Sequence, residues 1–206
     1  NGEFGLVYED YLLYYNACWL YGFGGGIFDE NNDPVCDQPA NLKAIKFVKS
    51  LLQEHKILPE EISNTLVTAL FNEGKSAMVI SGPWFRGEIS DGIDYEVAVL
   101  PKISQTEGDN RAKPFLGTEA FLVSAKSEHK NEVFEAIKAL TDAKSQEIMA
   151  KKGGQPVANL EAYQDRKLKN DPNLQVFKKQ AEYAVPMPNI PEMRMVWSPF
   201  DRGIKK

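Results

Sequence analysis

The sequence predicts an α/β fold on three observations. Apolar runs of strand length alternate with helix-period patterns along its 206 residues. One stretch, Phe71 to Phe85, reads as a helix end, a tight turn, a short buried strand and a Gly-Pro break. A polar, turn-rich interval at residues 102–113 then interrupts the pattern, as if the chain leaves one sheet and enters another.

Gly5 to Glu9 is an apolar run short enough for a strand. Asp10 to Phe23 is a helix-length segment dense in aromatics (Tyr11, Tyr14, Tyr15, Trp19, Tyr21, Phe23), with Asp10 as its expected N-cap. Gly24-Gly25-Gly26 ends that helix. Ile27 to Cys36 reads as a short hairpin with Asn, Asp and Pro at its turn. Pro39 to Ile57 carries an inward stripe of Leu42, Ile45, Val48, Leu51 and Leu52. Pro59, followed by Glu60-Glu61, opens the next helix, which buries Ile62, Leu66, Ala69 and Leu70 and runs to Asn72.

Gly74 supplies the left-handed residue that closes that helix. Ala77-Met78-Val79-Ile80 is the buried strand, and Gly82-Pro83 stops it because proline cannot donate to a ladder. Trp84 follows at the lip of a sheet, where open α/β sheets place ligand contacts. Tyr95 to Leu100 alternates as a strand. Residues 102–113 (Ser104, Gly108, Asp109, Asn110) carry no core signal. A second buried strand is expected at Ala120–Val123, within Phe115–Val123. Ser127 to Lys151 is the longest helical region, broken near Thr141-Asp142, with Val133, Ile137 and Leu140 facing in. Short helices at Ala158–Leu168 and Asn173–Ala184 follow, then a proline-locked segment, Val185 to Pro191.

Composition limits the function classes. Hydrophobic residues make up 43% and charged residues 26%, the balance of a globular protein. A net charge of −5 gives no general basic field, so nucleic acid is not an expected partner. No apolar run approaches the ~20 residues of a membrane helix. The sequence starts at Asn1 without a leader, so an export signal, if one existed, is expected to have been removed. Cys18 reads as a buried small hydrophobe, and His55 and His129 as solvated surface residues. With no Cys/His cluster, neither a metal nor another cofactor is expected.

Catalytic patterns fail on inspection. Gly22 to Gly26 follows a helix and lacks a Lys-Ser/Thr, so it is a helix cap, not a phosphate loop. Ser81 has no nucleophile elbow around it. Ser127 and His129 read as a solvated helix start. Glu9, Asp10 and Glu119 show no paired spacing of the kind a glycosidase needs, and no catalytic residue is assigned. Tyr11, Trp84 and Trp197 each begin or interrupt an element. On residue chemistry alone each ring fits the core as well as a ligand platform. Rings flanked by carboxylates suit sugars, whose C–H faces stack while their hydroxyls hydrogen-bond.

The stretch Ala69 to Trp84, with its Phe-Asn-Glu-Gly-Lys-Ser-Ala-Met core, resembles extracellular solute-binding proteins of bacterial ABC importers, in the maltose/maltodextrin-binding branch. Tyr95–Pro101 leading to Lys113-Pro-Phe-Leu-Gly117, Leu140-Thr-Asp142, and Met187-Pro-Asn-Ile-Pro-Glu-Met193 with Trp197 agree in order and spacing. The resemblance implies a periplasmic-binding-protein-like fold of type II, two lobes joined by hinge crossovers and incomplete here. Residues 1–101 and 172–206 would belong to the carboxy-terminal lobe. Residues 102–171 would hold the crossovers and part of the amino-terminal lobe, which a second chain or a missing segment completes.

By the same resemblance, Glu9 is a carboxylate for sugar hydroxyls, Tyr11 a ring beside it, and Trp84 and Trp197 platforms for successive glucose rings. An arginine that the family carries after the last tryptophan falls here on Asp201, with Arg202 one further. The segment from Tyr11 to Gly24 is also a few residues longer than the family pattern. The implied ligand is a maltose or maltodextrin-type oligosaccharide, the implied partners are ABC importer membrane subunits, and the implied location is the periplasm or cell surface. Two other readings stay open on the residues: a carbohydrate-active enzyme using Glu9 and Glu119, and a truncated, split or fused binding-protein scaffold.

Overall fold

Two of the apolar runs pair with each other. In the computed structural model, which describes residues 2–106 and 110–205, Phe4 bridges Ser76 and Val7 bridges Val79, both in parallel. Val7 N donates to Met78 O at 3.0 Å and Ile80 N donates to Val7 O at 3.2 Å, the evenly slanted pattern of parallel strands. Val7 and Tyr8 are buried. The run Ala77–Ile80 is not the buried strand expected, because Met78 is 56% exposed. Among the described residues nothing covers that face.

Helix α1 (Leu13–Gly22) starts three residues later than expected, and Asp10 does not cap it. Instead the Asp10 carbonyl accepts from Asn16 Nδ2 at 2.6 Å. Leu13, Ala17, Cys18, Trp19 and Leu20 form the centre of the main core, and Cys18 is the buried hydrophobe expected. At the helix end Gly24 takes φ +83°, and Gly25 N donates back to Leu20 O at 2.9 Å. The hairpin that follows is closed by an antiparallel Phe28–Pro34 bridge.

Helix α2 (Pro39–Gln53) sends Asn41 under this turn. Its buried amide accepts from Gly26 N at 3.0 Å and donates to the carbonyls of Gly26, Val35 and Cys36 at 2.7, 3.0 and 3.2 Å. Those bonds rotate the helix, so its inward face is Asn41, Ala44, Val48 and Leu51, and Leu42, expected inward, is 52% exposed. Helix α3 (Asn64–Asn72) also starts late. Pro59 is buried in the preceding bend, and Ser63 makes the cap by accepting from Leu66 N at 3.3 Å. Val67 and Leu70 face in, while Leu66 does not. Gly74 closes the helix at φ +69°, as expected. Pro83–Glu88 then forms a 3-10 turn carrying Trp84.

The second half departs furthest from expectation. Tyr95–Leu100 and Ala120–Val123 pair with no strand among the described residues, and Leu122 is 89% exposed. A strand needs a neighbour for its peptide groups, and an apolar run does not supply one. The ladder forms earlier instead: β1 (Phe115–Leu116) lies parallel to β2 (Val185–Pro186). The interval 102–113 is not coreless either. Lys102 and Arg111 bridge antiparallel, and Ile103 and Ala112 are buried in the main core. Its expected turn residues Gly108 and Asp109 lie outside the described residues.

Helices α4 (Lys130–Thr141) and α5 (Ala143–Gly153) break at Asp142, as expected, where the carboxylate accepts from Ser145 N at 2.7 Å. No residue of α4 is fully buried, and Leu140, expected inward, is exposed. The helix expected over Ala158–Leu168 splits into a 3-10 turn (Leu160–Gln164) and α6 (Arg166–Lys169), because Asp165 caps a fresh start. Asp171 caps α7 (Pro172–Ala181), and α8 (Met193–Ile204) ends the described chain. Ala150, Leu168 and Leu174 make a small separate core beneath α5, α6 and α7.

Candidate functional site

Glu9 and Tyr11 meet at the corner between the first extended run and α1. The Tyr11 hydroxyl donates to Glu9 Oε1 at 3.0 Å. Burial first, then the Glu9 bond and charge, raise the Tyr11 phenol above its usual range. Asp10, between them, has its carboxyl raised to about 6 by burial. The Lys205 ammonium sits 4.0 Å from the Tyr11 ring centre, within cation–π range. One turn back along α8, Asp201 Oδ1 accepts from Leu13 N at 2.7 Å. At the position where the resemblance implies an arginine, the Asp201 carboxylate is spent on the start of α1.

Trp84 is 37% exposed, and its indole folds back over Gly82, where any Cβ would strike it. Its ring centre lies 6.1 Å from Tyr14. Tyr14 lies 6.2 Å from Phe115, and Phe115 lies 6.1 Å from Trp197. Four rings therefore run without a gap from one expected platform to the other. Trp197 also packs on the edge of the main core. Tyr14 and Phe115 were not singled out from the sequence. For Tyr14 the aromatic density of the segment is the available signal, and for Phe115 it is the Lys113-Pro-Phe-Leu-Gly117 motif, which gives that ring no role of its own. Tyr15 backs the row, 5.5 Å from Tyr14, and its hydroxyl engages Ser81.

A cavity of about 2310 Å³ is lined by Tyr14, Trp84, Phe115 and Glu119, but not by Glu9, Tyr11 or Trp197. Small-ligand sites run to about 1,000 Å³ at most, so this space is open ground between the aromatic row and the runs at 94–101 and 116–121. Glu119 lines this space and Glu9 does not. The Ser127 hydroxyl accepts from the backbone N–H of His129 at 3.2 Å, a turn closure, not a nucleophile–base pair. Among the described residues no cluster of His, Cys, Asp or Glu is set to hold a metal ion, and no helix is long and apolar enough to cross a membrane.

The arrangement offers flat apolar faces beside an acceptor carboxylate, which suits a polyhydroxylated ring more than a reaction. Comparison with known proteins agrees with it. Residues 4–176 match the model of the bacterial extracellular solute-binding protein family. The galactooligosaccharide-binding protein of Bacillus subtilis is 28% identical over all of this chain and 51% of its own length. The maltotriose-binding protein of Pyrococcus abyssi is 28% identical over 96% of this chain and 44% of its own. The solved maltose/maltodextrin-binding domain of Bdellovibrio bacteriovorus, bound to maltotriose, superposes with a TM-score of 0.89 at 29% identity, covering 100% of this chain and 54% of that one. The chain thus spans about half the length of these relatives and carries about half of their α/β binding-protein fold. It belongs to the bacterial extracellular solute-binding protein family.

Proposed function

We propose that the protein binds maltose or maltodextrin-type oligosaccharides outside the cytoplasmic membrane, in the periplasm or at the cell surface, and hands them to the membrane subunits of an ABC importer. The observation that carries this reading is the ring row Trp84–Tyr14–Phe115–Trp197. Successive sugar rings stack along Trp84 and Trp197, and Glu9 and Tyr11 bond hydroxyls at one end, with charge-assisted bonds to Glu9 giving orientation. The role is capture and release, without turnover.

Residues 1–101 and 172–206 form one lobe of this protein, and residues 102–171 cross the hinge into the other. Closure of the lobes buries the sugar. The exposed run at 116–122 and the open space beside Trp84 are the ground on which further polypeptide completes the second lobe. The half-length match to the relatives supports this.

Tryptophan fluorescence of the full-length protein, titrated with maltose, maltotriose, galactooligosaccharide and an unrelated sugar, tests the reading. A saturable response to maltotriose, lost in Trp84→Ala, is expected. Silence toward every α-glucan refutes it. A response to galactooligosaccharide alone moves the assignment to that ligand, a second reading favoured by the equal identity to the Bacillus relative. Full affinity from residues 1–206 alone would sink the completed second lobe.

A further inference from the structure

We propose that Asp201 is a positioning residue of the binding wall. Its carboxylate pins α8 to the start of α1 and so sets Trp197 on Phe115 in the aromatic row. The inference rests on the sugar-binding reading above for its consequence, though not for its geometry.

Helix α1 begins without a cap of its own. Leu12 occupies the N-cap position with no side-chain acceptor, and Asp10 is turned to other work. The first backbone donors of a helix need partners, and Leu13 is fully buried, so water is a poor substitute there. The acceptor comes from 188 positions away: Asp201 Oδ1, at 2.7 Å from Leu13 N. An anion at a helix N-terminus is favoured by the aligned peptide dipoles as well as by the bond itself.

Asp201 does not act alone on its helix. Trp197, Asp201 and Lys205 stand four residues apart, so they share one face of α8. Each fastens to the same wall: Trp197 on Phe115 at 6.1 Å, Asp201 on Leu13 N, and Lys205 over the Tyr11 ring at 4.0 Å. Between the first two lies Pro199, inside the helix. A proline removes one helical hydrogen bond and crowds the preceding turn. The turn that carries Trp197 therefore lacks one backbone bond, and the Asp201 bond fixes the helix just beyond it. A ring platform is useful only when its angle is fixed, and the bond fixes the helix that carries the ring.

The test uses the full-length protein with Asp201→Ala, Asp201→Asn, Trp197→Ala and the Asp201→Ala/Trp197→Ala pair. Two quantities are read: amide hydrogen exchange at Leu13, and maltotriose affinity by titration calorimetry. Asn caps a helix as well as Asp, so Asp201→Asn should keep Leu13 protected and bind nearly as wild type. Asp201→Ala should expose Leu13 and weaken maltotriose about tenfold. In the Trp197→Ala background the same change should cost little more, because the ring it positions is gone. Unchanged Leu13 protection in Asp201→Ala overturns the proposal. So does wild-type affinity in that variant, failure of Asp201→Asn to rescue, or simple addition of the two losses. If wild type ignores maltotriose, the sugar reading fails by itself, and the exchange at Leu13 still decides whether Asp201 holds α1.

Discussion

Gly82→Ala separates the aim of Trp84 from the stability of the fold. A Cβ at Gly82 would overlap the indole, and even Cε3, the farthest of the three ring carbons it meets, would stand 2.5 Å away. Ordinary contact begins at 3.4 Å, so the ring must retreat by roughly 1 Å or more. The backbone offers no objection. Gly82 has φ −98° and ψ −178°, an extended conformation open to any residue. At such a site Gly→Ala stabilises by about 0.4–1 kcal/mol through the unfolded chain.

The retreating ring breaks its register with Tyr14, 6.1 Å away. Aromatic pairs of that kind contribute about 0.5–1.5 kcal/mol. A ring turned off its aim loses sugar stacking of similar size, so maltotriose binding should weaken by about two- to tenfold, while the lost pair and the Gly→Ala gain offset and leave the melting temperature nearly unchanged. Titration calorimetry beside thermal unfolding of the same sample reads both. Unchanged affinity would refute the steric argument. A melting temperature that falls in step with affinity would make Trp84 a core residue and not a platform.

Asp10→Asn should abolish a pH dependence. Burial raises the folded carboxyl from 3.8 to about 6, so the folded state binds the proton more tightly. Stability present at about pH 4 is lost as pH rises toward 6, by about 1–2 kcal/mol once solvent screening of this half-buried carboxyl is allowed for. Thermal unfolding from pH 4 to 8 should show that slope in wild type and not in the variant, and parallel curves would refute it. Asn41→Leu should cost about 3 kcal/mol or more, because it strands the buried Gly26 N–H and carbonyl and the half-buried carbonyls of Val35 and Cys36. Denaturant unfolding measures it, and a loss under 1 kcal/mol would show that the turn rearranges. Arg86→Met should cost about 1–3 kcal/mol, since the guanidinium donates to Gly154 O at 2.7 Å and pairs with Asp171 at 3.4 Å. Exchange of the α5 and α7 amides should quicken with it, and unchanged exchange would remove Arg86 as the tie between those helices.

What could be read from the sequence divides along one physical line, the distance over which a signal is carried. Gly74, Gly24 and Asp142 punctuate helices through bonds to residues a turn away, and each acts where its sequence neighbourhood says it should. Glu9 and Tyr11 are two residues apart, and they meet as expected. Signals that need a distant partner were not legible. No rule of local spacing gives α1 a cap on a residue 188 positions later. None foresees that Asn41 would turn α2 by bonding a loop before it and a hairpin strand beside it. Phe115 became a link between Tyr14 and Trp197 only because β1 lies beside β2 and α8 lies across both.

The strands show the same division most sharply. Apolar alternation at Tyr95–Leu100 and Ala120–Val123 says only that these segments accept a neighbour on each side. Whether a ladder forms depends on a second segment, which pattern within the first cannot reveal. The run Gly5–Glu9 found that partner at Ala77–Ile80 and is buried. Ala120–Val123 found none among the described residues and stands in solvent. An exposed Leu122 is thus no failure of strand propensity. It marks a segment with no ladder partner among the described residues, next to Phe121, which lines the open space beside Trp84.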